Sequence, residues 1–154
     1  MKNVKQTAAK STKAPPGIEG FDKITHGGLP RGRTTLLGGG PGSGKTLFAL
    51  RFLVHGARDC QEPGIFVAFE ETSKRVIGNA AVFGWDLPAL QRKQLFFLDA
   101  QPSPDLVQLG SFDLSGLLAG LGAQAKRMGA RRIVFDAIDV VLELLPDQAS
   151  KRRE

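Results

Sequence analysis

Tyrosine is missing from these 154 residues, and cysteine and tryptophan occur once each. A single cysteine, Cys60, rules out an intramolecular disulfide and any cysteine-rich zinc site. It fits a reducing, cytoplasmic setting. The two histidines, His26 and His55, lack the spacing of a metal-binding pair. Aromatic residues are few in basic context, so there is little sign of a surface for stacking nucleic-acid bases. No apolar run approaches the length of a membrane span. The N-terminus has lysines but no apolar segment behind them, unlike a secretory signal.

Charge of one sign is also scarce once the ends are set aside. The formal net charge is +6. Lys2, Lys5, Lys10 and Lys13 supply four of those charges, and Lys151, Arg152, Arg153 and Glu154 a net two. The body between is neutral and shows no basic stripe, so a nucleic-acid partner is not expected. Residues 1–16 are polar, lysine-rich and closed by Pro15-Pro16, and are expected to be a disordered tail. Residues 17–154 are expected to form one domain.

Within that domain, apolar runs alternate with helical patterns. Gly17 to Ile24 predicts a short helical turn, and His26 to Gly32 a turn-rich connection. Thr34 to Leu37 predicts a strand leading into a glycine loop. Leu47, Leu50, Leu53, Val54 and Ala57 mark a buried helix. Ile65 to Phe69 is an apolar strand, followed by a helix capped by Thr72 or Ser73. Leu95 to Leu98 is a further strand, Asp113 caps a helix with Leu114, Leu117, Leu118, Leu121 and Ala125 in phase, and Ile133 to Phe135 is another strand. Strands apolar on both faces, alternating with amphipathic helices, predict an α/β fold with a mostly parallel sheet covered on both sides.

The chemistry concentrates at Gly39-Gly40-Pro41-Gly42-Ser43-Gly44-Lys45-Thr46, between a predicted strand and a predicted helix. Glycines let successive amides turn inward around phosphates, and the helix presents its positive end to the same anion. Lys45 reaches the β- and γ-phosphates, and the Thr46 hydroxyl takes a Mg²⁺ position. The expected ligands are ATP and Mg²⁺. Glu70-Glu71 lies at the carboxyl end of a strand, the edge where parallel sheets bind ligands, and either carboxylate can orient the water attacking a γ-phosphate. Asp136 ends the last strand on the same edge and is the candidate second Mg²⁺ ligand, with Asp139 a nearby competitor. His26, His55, Cys60 and the Phe83–Trp85 pair carry no such pattern and are expected to be structural.

From Ile18 onward the chain resembles the KaiC-like ATPases, within the RecA-like P-loop superfamily. The matching stretches include Ile18-Glu19-Gly20-Phe21-Asp22, His26-Gly27-Gly28-Leu29-Pro30, Gly42-Ser43-Gly44-Lys45-Thr46-Leu47-Phe48, Glu62-Pro63-Gly64, Phe69-Glu70-Glu71-Thr72, Phe83-Gly84-Trp85-Asp86, Phe112-Asp113-Leu114-Ser115 and Arg131-Arg132. The resemblance implies a three-layer α/β/α core and a nucleotide held by Gly42 to Leu47. It implies Mg²⁺ on Thr46, paired catalytic glutamates at Glu70 and Glu71, and a Walker B acid at Asp136. Val82 departs from a serine found near the nucleotide in the well-known member.

Members of the family hydrolyse ATP at the interfaces of hexameric rings, and some phosphorylate themselves on serine or threonine. Family domains run roughly a hundred residues further after the second acid, within ordinary domain size. The resemblance therefore implies that the C-terminal part of the domain is missing here. That part carries the strand that would separate the last strand from Thr34–Leu37, and basic residues that reach a neighbour's ATP. Such residues are worth about 10³ to 10⁵ in rate. The expectation is MgATP binding with at best slow hydrolysis. Its rivals are a non-enzymatic, ATP-dependent assembly module, pairing with itself or a longer relative, and a recombinase-like DNA motor.

Overall fold

The computed structural model describes residues 12–102 and 113–144. Its centre is a parallel sheet of three strands, β3 (Gly64–Ala68), β4 (Leu95–Asp99) and β5 (Arg132–Asp136), in the order β4-β3-β5. Registers run Phe66 to Phe97 on one side and Phe66 to Val134 on the other. All five residues of β3 are buried, as the middle strand of a doubly covered sheet requires.

The period-two alternation of β3 splits its side chains between two cores. Phe66 and Ala68 join Leu50, Leu53, Val54 and Ala57 of α2 (Lys45–Asp59), Val76 and Ala80 of α3 (Ser73–Ala80) and Leu87 of α4 (Leu87–Gln91). Ile65, Val67 and Phe69 face the other way, against Leu121 of α5 (Leu114–Met128) and Val141 of α6 (Ile138–Leu144). These are the three layers. Thr72 caps α3 by accepting from Arg75 N–H, and Asp113 caps α5 by accepting from Gly116 N–H at 2.8 Å. Both caps are legible as side-chain acceptors ahead of apolar periodicity. On α5, Leu118 faces solvent at 48% exposure while Leu121 is buried, so the apolar stripe is narrower than its leucines suggest.

Two expectations are corrected. Thr34 to Leu37 forms no strand. Leu36 is 81% exposed, and a cavity of about 1630 Å³ lies between this segment and β5, lined by residues 34–37 and 133–138 among others. A strand exists only through a hydrogen-bonding neighbour, and among the described residues none pairs with this segment. The second correction concerns the leader. β1 (Lys13–Ala14) pairs antiparallel with β2 (Leu29–Pro30), just after α1 (Glu19–Ile24), so order begins ahead of Gly17. Gly28, at φ 104°, brings its backbone so close that a Cβ would meet Pro15 Cα at 2.4 Å. Arg132 Nη1 donates to Pro15 carbonyl at 2.8 Å, and Arg51 donates to Gly17 carbonyl at 2.7 Å. Residues 1–11, most of the expected disordered tail, lie outside the described residues.

Arg132 is the scaffold's main polar joint. It is 2% exposed, donates to Glu62 Oε2 and Phe52 carbonyl (both 2.7 Å), and stacks over the Phe52 ring at 4.5 Å. Glu62 also pairs with Arg31 at 2.7 Å. The Glu62-Pro63-Gly64 and Arg131-Arg132 stretches thus meet across the sheet.

Candidate nucleotide-binding site

The glycine loop leads into the N-terminus of α2. Gly42 (φ 73°) and Gly44 (φ 86°) both take left-handed angles that suit glycine. Gly44 is the N-cap and offers no side chain, so the first-turn amides of Lys45, Thr46 and Leu47 keep their capacity to bind an anion. Gly39, Gly40, Pro41, Gly42 and Ser43 are exposed. Ser43 N–H donates to Gly40 carbonyl at 3.3 Å, closing the turn. Lys45 Nζ donates to the carbonyls of Gly39 (2.7 Å) and Gly40 (2.9 Å), which lays its ammonium along the loop.

Ninety residues further on, Asp136 ends β5 beside this loop. The Thr46 hydroxyl donates to its carboxylate, at 3.0 Å from Oδ2 and 3.3 Å from Oδ1. Ala137 follows at φ 63°, a costly angle for a residue with a Cβ, and turns the chain sharply into α6. Asp139 lies on α6, exposed, and makes no bond to Thr46. Of the two candidate aspartates, only Asp136 meets the loop.

Burial raises the Asp136 pKa above its ordinary value; the Thr46 hydroxyl opposes this, Glu70 and Glu71 push the same way as burial, and Lys45 opposes. Both glutamates are therefore near enough to be felt electrically. Glu70 is exposed, while Glu71 stands 3.5 Å from Arg75. Phe69 N–H donates to Asp136 carbonyl at 3.2 Å, fixing the base of the acidic pair to the end of β5.

No group of three or more histidine, cysteine or acidic side chains is arranged to cage a metal among the described residues. The donor set suits Mg²⁺ nonetheless, since that ion keeps several waters and uses one or two protein oxygens plus substrate phosphates. Thr46 and Asp136 offer those two oxygens side by side. Leu47, 36% exposed, lines a second cavity of about 440 Å³ with Ser43, Gly44, Lys45, Phe83 and Trp85. The two rings stack at 4.8 Å. Trp85 packs on the core as expected, but sequence reasoning missed that the pair also walls the loop. His55 pairs with Asp59 at 2.7 Å and lies against Gly17, a structural setting.

The family model described as "ATPase: KaiC" matches residues 14–154. A "Circadian clock oscillator protein KaiC" of Parathermosynechococcus lividus is 49% identical over 144 residues, covering 92% of this chain and 27% of the relative. The protein of the same name from Thermosynechococcus vestitus is 46% identical over 151 residues, covering 97% and 29%. That from Synechococcus elongatus is 46% identical over 139 residues, covering 89% and 27%. The chain thus spans under a third of these relatives' length. No helix of the described residues is long and apolar enough to cross a membrane. A parallel α/β sheet, a glycine loop at the head of α2 and an aspartate on its threonine, together with the match over residues 14–154, place this chain in the KaiC ATPase family.

Proposed function

We propose that the chain binds MgATP at the 39–46 loop and hydrolyses it at best slowly. The observation that carries this reading is the Thr46 hydroxyl on the Asp136 carboxylate, 3.0 Å apart and 90 residues apart in sequence. The amides of Gly42 to Leu47 collect the phosphates, and Lys45 neutralises their charge. Thr46 and Asp136 hold Mg²⁺, which when bound polarises the phosphoryl oxygens. Glu70 or Glu71 orients the attacking water.

Lys45→Ala removes charge-assisted hydrogen bonds worth ~1.5–3 kcal/mol, so ATP affinity should fall at least about tenfold. Titration with a fluorescent ATP analogue in Mg²⁺ measures it, and unchanged affinity would sink the proposal.

A second reading is an ATP-dependent assembly module, pairing with itself or a longer relative. It is favoured by the cavity beside β5, where Ile133 and Phe135 are 40% and 38% exposed. Size-exclusion chromatography with and without MgATP, run beside a phosphate-release assay, separates the two. Assembly with no phosphate released favours the module.

A further inference from the structure

Where β4 ends, consecutive residues reach back to the stretch that carries Glu70 and Glu71. The last rung of the ladder is ordinary: Ala100 N–H donates to Ala68 carbonyl at 2.9 Å. The next contacts are not backbone pairing. The side-chain amide of Gln101 donates to that same Ala68 carbonyl and to Glu71 carbonyl, both at 2.9 Å. The Asp99 carboxylate accepts Ser73 N–H at 2.6 Å on one oxygen and the Ser73 hydroxyl at 3.1 Å on the other.

The chemistry of these contacts is directional. Gln101 directs the two N–H bonds of one amide to two carbonyls three residues apart, which only a donor can do. Asp99 does the reverse, offering two acceptors to the first residue of α3, where a negative charge also suits the helix dipole. Beyond the Phe69 N–H bond to Asp136 carbonyl at its base, the acidic pair has little else to hold it. Among the described residues, Glu70 has no ion-pair or hydrogen-bond partner, and the Glu71–Arg75 contact is long and exposed. Its backbone is what sets its place.

We infer that Asp99 and Gln101 are positioning residues: together they clamp the Glu70–Ser73 segment to β4, so that the acidic pair keeps a fixed geometry toward the Thr46–Asp136 end of the loop. The inference rests on the reading that Glu70 or Glu71 orients the water, since neither Asp99 nor Gln101 touches the site. A misplacement of about 1 Å can cost on the order of a hundredfold in rate.

The test uses the full chain with Gln101→Leu, Gln101→Glu, Asp99→Ala and Asp99→Asn. Gln101→Glu keeps the shape but turns a donor toward two carbonyls into an acceptor, which guards against a packing artefact. Asp99→Asn can still accept from Ser73 N–H and is the conservative rescue. In Gln101→Leu, Gln101→Glu and Asp99→Ala, kcat should fall about tenfold or more, with KM and ATP affinity within about twofold of the parent. Asp99→Asn should stay near the parent. Hydrogen exchange provides a readout independent of turnover: in the three disrupting variants, MgATP should no longer slow exchange at residues 70–73, while protection of α2 persists. Parent-like kcat, or parent-like MgATP protection at residues 70–73 in both Gln101 variants, overturns the clamp. A parent chain that releases no phosphate counts against the catalytic reading instead, and the exchange arm then decides the clamp.

Discussion

At the scale of single residues, Asp136 and Glu62 respond to acid in opposite directions. Burial, reinforced by Glu70 and Glu71, raises the Asp136 pKa in the fold. Its ionised form is therefore disfavoured by folding, and this strain is relieved as pH falls through the raised folded value, fully so below the unfolded one. Asp136→Asn should raise the melting temperature of the nucleotide-free chain by a few degrees while weakening Mg²⁺-dependent ATP binding. Paired thermal scans and titrations check both, and a lowered melting temperature would contradict the electrostatic account. For Glu62, burial by itself pushes the carboxyl up, but the guanidiniums of Arg132 and Arg31 outweigh it and hold its pKa low. That stability is present above the unfolded pKa and lost as pH falls through the folded one. Glu62→Ala leaves a guanidinium that is 2% exposed without its counter-charge and should cost about 3 kcal/mol. Urea unfolding at neutral pH measures that loss, and the difference from the parent should shrink in acid.

At the scale of elements, the ends matter more than the middles. α2 begins at a glycine that caps without a side chain, so the same helix that buries Leu50, Leu53 and Val54 in the core leaves its first amides open to phosphate. α3, by contrast, has its first residue tied to Asp99 and its cap supplied by Thr72. One helix start is left open and the other is closed. The β1–β2 pair depends on Gly28 in a similar local way. Gly28→Ala combines an unfavourable φ with a Cβ 2.4 Å from Pro15, and should detach residues 12–16 while α2 and the central sheet persist. Faster amide exchange at Ala14 and Arg31, with unchanged protection in α2, is the expected result.

At the scale of the molecule, no strand among the described residues pairs with the outer edge of β5. Arg132 N–H donates to Pro63 carbonyl, and Asp136 carbonyl accepts from Phe69 N–H. Alternation then turns the backbone groups of Ile133 and Phe135 away from β3 toward the cavity. Exchange along β5 should alternate, slow at Val134 and Asp136 and fast at Ile133 and Phe135, with residues 34–37 fast throughout. Uniform protection across Ile133 to Phe135 in a monomeric sample would refute an open edge. An unpaired edge is also a template for association, so protection that appears only with rising concentration would mark assembly through β5.

Much of this was legible without coordinates. The glycine loop is legible as a motif because its glycines, the lysine and the threonine are adjacent in the chain. The strands β3, β4 and β5 and the capped helices α3 and α5 are legible because apolar period and cap acceptors are local signals. The helices Leu87–Gln91 and Ile138–Leu144 were not expected, the first being little more than one turn and the second following a strained turn at Ala137. Nor could local pattern reveal that Thr34–Leu37 is strand-like in composition yet unpaired, because pairing depends on a neighbour in space. The meeting of Thr46 with Asp136, of Arg132 with Glu62 and Pro15, and of Gln101 with Glu71 belongs to the tertiary structure alone. Each joins groups 30 or more residues apart, and only the packing of helices on a parallel sheet brings such groups within hydrogen-bonding distance.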